Sequence, residues 1–432
     1  MPIKIIDVNN PGFAKEFEEI LNRGKMDIEN VESIVREIIQ EVKKEGNKAL
    51  FRHIKKFDKW EPKDNIDLEI SKEEMEEAYK KLDKDLKKAL HLAYDRIKSY
   101  HQKQLPKSWI DFEKNGTILG QKVTPVNRAG VYVPGGKAFY PSSLLMNVIP
   151  AIVAGVDEII VTTPVIENKP NELLLAALYI CGSPRTFKVG GASAIAALAY
   201  GTESIPKVDV ITGPGNIFVA TAKKLVYGEV NIDMIAGPSE IGIIADNTAK
   251  PKYIAIDMLS QAEHDEMASS ILITPSKELA DVVAIEIEKF LKELEREEIA
   301  RASIENRGAI IVTNDLEEAI DLMNKIAPEH LEIVTANAFE LLPYIKNAGA
   351  IFLGENTPEP IGDYIAGPNH TLPTGGTAKF YSPLNVEIFM KKSSIISYSK
   401  KAIEEMGREC AILARTEGLT AHEKSVLIRL DG

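Results

Sequence analysis

Gly130-Val131-Tyr132-Val133-Pro134-Gly135-Gly136 is the stretch that decides the fold. A short β-branched and aromatic run stops at a proline–glycine turn, and residues 142–154 then read as a buried helix. The pattern repeats downstream. A strand is expected over 158–163, a helix over 173–181, a strand over 187–189 and a helix over 194–200. A further strand over 208–212 enters a helix through Gly213-Pro214-Gly215-Asn216. Strands alternating with helices in this way build a parallel sheet covered on both faces. The alternation resumes after Pro238, with strands at 241–244, 271–274, 309–312 and 350–353. The spacing predicts a two-part α/β protein.

Upstream, residues 12–104 carry apolar positions every three or four residues, with Ile34, Ile38 and Val42 on one such face. Ser71 followed by Glu74 predicts a capping box. His53, His91 and His101 lie here among Lys and Asp and read as polar positions on surface helices. Downstream of Pro383, residues 386–398 look like a strand and 401–415 like a helix, with Gly418 and Thr420 ending it and starting another. That tail is too small for a core of its own and is expected to dock on the body or on a partner subunit.

A chain of 432 residues exceeds one ordinary core, and its 44% hydrophobic and 27% charged residues are those of a globular protein. No apolar run reaches membrane-spanning length, and Met1-Pro2-Ile3-Lys4-Ile5 reads as a leading strand rather than a signal peptide. A net charge of −12 leaves no basic footprint for nucleic acid or an anionic membrane. Cys181 and Cys410 form no metal or redox motif; the expected setting is a reducing cytoplasm, and both read as packing residues.

The chemistry concentrates in a few places. Residues 253–270 read as helical and contain Ser260-Gln261-Ala262-Glu263-His264. Gln261 and His264, three apart, share a face, and an amide oxygen beside an imidazole nitrogen suits a borderline metal such as zinc. Two ligands do not hold a metal. Asp363, past the strand expected at 350–353, stands where loops of an open sheet host ligands, although an Asx turn beside Gly362 explains it as well. His422 follows Thr420, a good N-cap, and reads either as a fourth ligand or as an ordinary first-turn residue. Glu329-His330 offers two bases able to act near neutral pH, with a solvated surface pair as the competing account. The G-x-G-x-x-G fingerprint is absent, yet Gly190-Gly191 and Gly213-Pro214-Gly215-Asn216 join strands to helices where backbone N–H groups can meet a phosphate.

From about residue 123 onward the chain resembles the histidinol dehydrogenase family. The resemblance rests on Tyr132-Val133-Pro134-Gly135-Gly136, Gly213-Pro214-Gly215-Asn216, Ala236-Gly237-Pro238-Ser239-Glu240, Ser260-Gln261-Ala262-Glu263-His264, Pro328-Glu329-His330-Leu331, Gly362-Asp363-Tyr364 with Asn369-His370, and Leu419-Thr420-Ala421-His422. Each is weak alone; in this order they are highly specific. The resemblance implies an α/β fold of two Rossmann-like parallel-sheet domains. Residues 1–25 would be an arm, a helical 26–128 would belong with the second domain at 238–381, the first domain would span 129–237, and 382–432 would be a dimerisation tail on the partner subunit.

It further implies a cytoplasmic homodimer with one zinc per subunit that oxidises L-histidinol to L-histidine with two NAD and one water, the last step of histidine biosynthesis. Gln261, His264, Asp363 and His422 match the zinc ligands, and Glu329 and His330 the catalytic pair. Ser239 and Glu417, together with the zinc ligands, His330 and His370, match positions that hold the substrate. Glu417 and His422 would reach the neighbouring subunit's site. Tyr132, Ser193 and Asn216 match the NAD contacts, but Ser193 stands where the family's pattern has glutamine, and a hydroxyl is shorter than an amide and lacks its paired donor and acceptor. Two other readings compete: a zinc hydrolase in which Glu329 activates water, and a non-catalytic metabolite-binding protein on the same fold.

Overall fold

The computed structural model describes residues 3–24, 28–135 and 141–430. The expected turn residue Gly136, the leading Met1-Pro2 and the expected boundary at 25/26 lie outside them. The chain forms two compact units, one of residues 1–104 and 127–389, the other of 105–126 and 390–432.

The larger unit contains two six-stranded sheets. In the first, Arg185–Phe187, Glu158–Thr162, Arg128–Tyr132, Val210–Thr212 and Asn231–Ile232 lie side by side, all parallel, with Glu69–Ile70 antiparallel at one edge. Numbered in chain order, the parallel strands run 3-2-1-4-5, the doubly wound order of the Rossmann type. The order reverses between Arg128–Tyr132 and Val210–Thr212, so a crevice opens past their carboxyl ends, beside Tyr132 and Gly213.

The second sheet repeats the plan. Ala309–Val312, Ser269–Thr274, Glu240–Ala245, His330–Val334 and Ala350–Leu353 again run 3-2-1-4-5, and Lys4–Asp7 adds a sixth parallel strand at the Ala309–Val312 edge. Each sheet is buried on both faces, which is why its strands read as unbroken apolar runs.

The N-terminal helices correct one expectation. Ile28–Glu45 and Asn47–Phe57 pack through Val35, Ile39, Leu50 and Ile54 against Phe187, Ile195 and Leu198 of the first sheet's layer. Lys72–Lys81 and Lys84–Gln102 cover its other face through Met75, Ala93 and Ile97. They belong with the first sheet, not with 238–381. The stretch 26–128 is also not helical throughout, since it includes the strands Trp109–Phe112 and Ile118–Pro125. The capping box forms as expected: Ser71 Oγ accepts from Glu74 N–H while Glu74 accepts from Ser71 N–H.

In the smaller unit, Met390–Ser397, Ile118–Pro125 and Trp109–Phe112 make an antiparallel sheet, followed by helices Lys400–Thr416 and Thr420–Leu430. The expected tail thus does not stand alone; it is built on the hairpin at 109–125. The helices close over Gly407, where an added Cβ would lie 3.2 Å from Val426 and Leu430. Phe112, Ile396, Ile412, Leu413 and Ile428 stay exposed, and so does Cys410, which corrects the expectation that it packs. Among the described residues no helix is long and apolar enough to cross a membrane.

Candidate active site

The second sheet gathers its polar groups at the edge where its strands begin, opposite to the edge a doubly wound sheet ordinarily uses. His330 and Glu240 are each the first residue of their strand. Glu329 precedes His330 after a sharp corner, in which Ala327 ends helix Leu316–Ile326 in the left-handed region at φ 50°. Gly349 presses on this corner: a Cβ there would sit 2.4 Å from the Glu329 carbonyl oxygen. Any side chain at 349 would push the pair out of place.

Glu329 and His330 are buried, not a solvated pair. Glu329 Oε2 accepts from Glu240 N–H at 2.8 Å, and burial pushes its carboxyl up to about 8 against the pull of His330. His330 is 3% exposed, and its Nδ1 donates to the Glu240 carbonyl at 3.0 Å. That bond fixes the tautomer and leaves Nε2 as the free nitrogen. Nε2 makes no hydrogen bond and lies 3.5 Å from Asp363 Oδ1 and 3.9 Å from Glu359 Oε1. Burial disfavours the charged ring, but Glu329, Asp363 and Glu359 outweigh it and hold His330 well above the usual histidine value.

Asp363 reaches this edge because the chain folds back. After Ala350–Leu353, residues 354–366 cross the sheet face, anchored where Glu359 N–H donates to Glu332 Oε1 at 2.8 Å. Asp363 therefore sits in a short π-turn, Gly362–Ala366, rather than in a loop past the strand's carboxyl end. Desolvation alone would raise its carboxyl, yet His330, His370 and His264 hold it down at about 2. His370 Nδ1 donates to the Asp363 carbonyl at 3.1 Å, and its Nε2 lies 3.3 Å from Ser143 Oγ.

Gln261 and His264 arrive from the carboxyl end of helix Pro251–Ala262. Their side chains lie 3.3 Å apart, Gln261 Nε2 to His264 Nδ1, and the buried Gln261 Oε1 has no partner. Glu359, which the sequence reading did not single out, ties this helix end to the site through Ser260 Oγ at 3.0 Å. An unpartnered buried amide oxygen, an imidazole and a depressed carboxylate form a donor set that fits a zinc ion. Among the described residues His330, Glu359 and Asp363 also bring ligand atoms within 4.8 Å of one another. Ser239 is half-buried one residue before Glu240. His422 and Glu417 lie exposed in the smaller unit. The larger unit thus brings together Ser239, Gln261, His264, Glu329, His330, Asp363 and His370, and not His422 or Glu417. A cavity of about 580 Å³ opens beside His330, Phe352, Asp363 and His370, enough for a small metabolite.

Three acids behind the site had no signal in the sequence. Glu240 pairs with Arg23 at 2.9 Å in near-complete burial, 217 residues away along the chain. Glu332 and Asp257 share a buried position, where desolvation holds Glu332 well above the carboxylate range and Asp257 at about 6. His101 is another surprise. It is fully buried, with Nδ1 bonded to the Ile97 carbonyl at 2.7 Å and Nε2 facing Asn369 at 3.3 Å, so it braces the loop before His370. His91 alone of the three N-terminal histidines stays on an exposed face, 3.0 Å from the Tyr79 hydroxyl.

A second cavity, about 510 Å³, opens at the switch point of the first sheet and brings Tyr132, Ser193 and Asn216 together with His53, Asp58 and Gly190. Asn216 caps helix Ile217–Val226, its Oδ1 accepting from Phe218 and Val219 N–H. The Tyr132 hydroxyl accepts from Gly191 N–H at 3.3 Å. Glycines are needed here: a Cβ on Gly213, at φ 115°, would meet the Tyr132 carbonyl oxygen at 2.0 Å. His53, expected on a surface, is 8% exposed.

Asp58 is 7% exposed, and its carboxylate has no ion pair or hydrogen bond among the described residues. Burial pushes it up to about 6. The native protein therefore binds a proton that the unfolded chain releases near pH 4, so stability present below that pH is lost as pH rises through about 6. Asp58→Asn is expected to raise unfolding stability at pH 7 by about 1–2 kcal/mol and to flatten the decline between pH 4 and 6 in urea titrations. Equal stability of the two proteins at pH 7 would refute this.

Residues 21–430 match the family model described as histidinol dehydrogenase. A histidinol dehydrogenase of Sulfurimonas denitrificans is 70% identical over 98% of both chains, and one of Wolinella succinogenes is 64% identical over 99% of both. The crystal structure of histidinol dehydrogenase from Elizabethkingia anophelis superposes with a TM-score of 0.94 at 35% identity, covering 100% of this chain and 98% of that one.

Proposed function

The chain belongs to the histidinol dehydrogenase family, and we propose that it oxidises L-histidinol to L-histidine through a bound histidinal, with zinc and NAD, at the last step of histidine biosynthesis. The observation that carries this reading is the buried His330, whose Nδ1 is committed to the Glu240 carbonyl while Nε2 stands unpartnered at a cavity beside Asp363.

In this reading Gln261, His264, Asp363 and the partner chain's copy of residue 422 hold the zinc. Tyr132, Ser193 and Asn216 contact the dinucleotide. When bound, zinc supplies a fixed charge that positions the substrate nitrogens and draws the charge of Asp363 away from His330, while NAD accepts hydride. His330 Nε2 takes the alcohol proton as the carbinol carbon gives up hydride, leaving the aldehyde. Glu329, held by Glu240 N–H, accepts in its ionised form a proton from the water that adds to that aldehyde; with its carboxyl near 8, that form grows as pH rises past neutrality. His330 gives its first proton up to solvent through the open cavity, and Nε2 then takes the hydrate's proton during the second hydride loss. Ser239, His370 and Glu417 complete the substrate contacts. The enzyme works as a cytoplasmic homodimer, each site completed by the other chain's tail.

Purified protein is expected to form about two NADH per L-histidinol consumed, an activity abolished by a chelator and restored by zinc. One NADH with release of aldehyde would remove Glu329 from the hydration step. No NADH from folded, zinc-loaded protein would overturn the substrate assignment.

A further inference from the structure

The cofactor cavity contains a polar chain that the reaction scheme leaves unused. Ser193 lies in the first turn of helix Gly191–Tyr200, 4% exposed, and lines the cavity. Its Oγ is 2.8 Å from His53 Nδ1, on helix Asn47–Phe57. The other ring nitrogen of His53, Nε2, is 2.8 Å from Glu41 Oε2 on helix Ile28–Glu45, and Arg52 adds a bond to the same oxygen at 3.1 Å. These residues, 140 positions apart at the Ser193–His53 step, form one continuous relay from the protein surface to the cavity wall.

The chemistry of the relay fixes its direction. The bond from His53, reinforced by Arg52, holds Glu41 below the usual carboxylate range, so Glu41 is an acceptor only. His53 must then carry a proton on Nε2, and in the singly protonated ring this leaves Nδ1 as an acceptor. Ser193 has one O–H, and Nδ1 takes it. What remains toward the cavity is the oxygen's lone pairs. A serine without such a neighbour rotates freely and offers donor or acceptor as the ligand demands; this one is committed.

We propose that Glu41 and His53 are positioning residues that make Ser193 a fixed hydrogen-bond acceptor for a hydroxyl or amino group of the dinucleotide. His53 lines the same cavity and backs the short serine that stands where the family's pattern has glutamine. The inference rests on the reading that this cavity takes NAD.

Titration of the full-length protein with NADH, followed by calorimetry, tests it without turnover. Ser193→Ala and His53→Ala are each expected to weaken NADH binding about tenfold, and the double variant by about the same tenfold, because both remove one contact. Adding Ser193→Gln to His53→Ala is expected to bring binding back to within about threefold of the parent, which a purely structural role for His53 would not allow. Glu41→Ala, at a half-buried position that folding tolerates, is expected to weaken binding about threefold. Unchanged affinity in His53→Ala, or a double variant weakened by the product of the single losses, would overturn the relay. A parent protein that binds no NADH at all would instead overturn the cofactor reading on which the relay depends.

Discussion

A His330→Asn chain is expected to turn over L-histidinol at less than about one-thousandth of the parent rate, while unfolding at nearly the same temperature. Asparagine is the informative choice because its amide N–H can still donate to the Glu240 carbonyl, the bond His330 Nδ1 makes at 3.0 Å. What it removes is Nε2, the unpartnered buried nitrogen beside Asp363. His422→Ala is expected to be equally inactive and to lose zinc, for a different reason. Residue 422 lies on the exposed helix Thr420–Leu430 of the smaller unit and would serve the neighbouring chain's site. Mixing the two inactive proteins with subunit exchange is therefore expected to restore activity. Random pairing gives half hybrids, each with one complete site, or about a quarter of the parent activity. No recovery after verified exchange would place both residues in one chain's site. Zinc retained by His422→Ala would remove that residue from the ligand set.

The second large effect concerns stability. Lys223 and Asp233 form an ion pair with side chains only 2% and 0% exposed. The pair also clasps the turn before Asn216, since Lys223 Nζ donates to the Gly213 carbonyl at 2.9 Å and Asp233 Oδ2 accepts from Gly213 N–H at 2.8 Å. Replacing Lys223 by Met leaves a carboxylate buried without its counter-charge, at an expected loss of about 3–5 kcal/mol in urea unfolding. The double variant Lys223→Met with Asp233→Leu is expected to be more stable than the single one, because no uncompensated charge remains. A single variant destabilised by less than about 1 kcal/mol would mean that water reaches the pair.

The alternation of strands and helices was legible because a strand buried on both faces must be an unbroken apolar run, and glycine or proline must end it. The Gly213-Pro214-Gly215-Asn216 turn was legible for the same reason, as punctuation, whereas Tyr132 was legible from the residues only as part of its strand. Burial of polar side chains was not. His53 and His101 sit among lysines and look solvated, and only their partners Ser193 and Asn369, far along the chain, make them interior residues. Glu332 resembles an outward position of an alternating strand, yet its sheet has no outward face. The site's location was misjudged through Asp363. In the first sheet a cavity does open past the carboxyl ends of the strands, where the rule places it. In the second, residues 354–366 fold back and deliver Asp363 and Glu359 to the opposite edge.

Using opposite edges of two like-wound sheets has an electrical consequence. In such a sheet each helix runs counter to the strands, so helix N-termini collect at the strands' carboxyl edge and helix C-termini at their amino edge. The first carries partial positive charge and favours phosphate; the second carries partial negative charge and favours a cation. Gly191–Tyr200 and Ile217–Val226 begin at the cavity holding Tyr132, while Pro251–Ala262 ends at Gln261. One backbone plan, used twice, thus turns its positive pole to the cavity beside Tyr132 and its negative pole to the buried Gln261 amide before any side chain is counted.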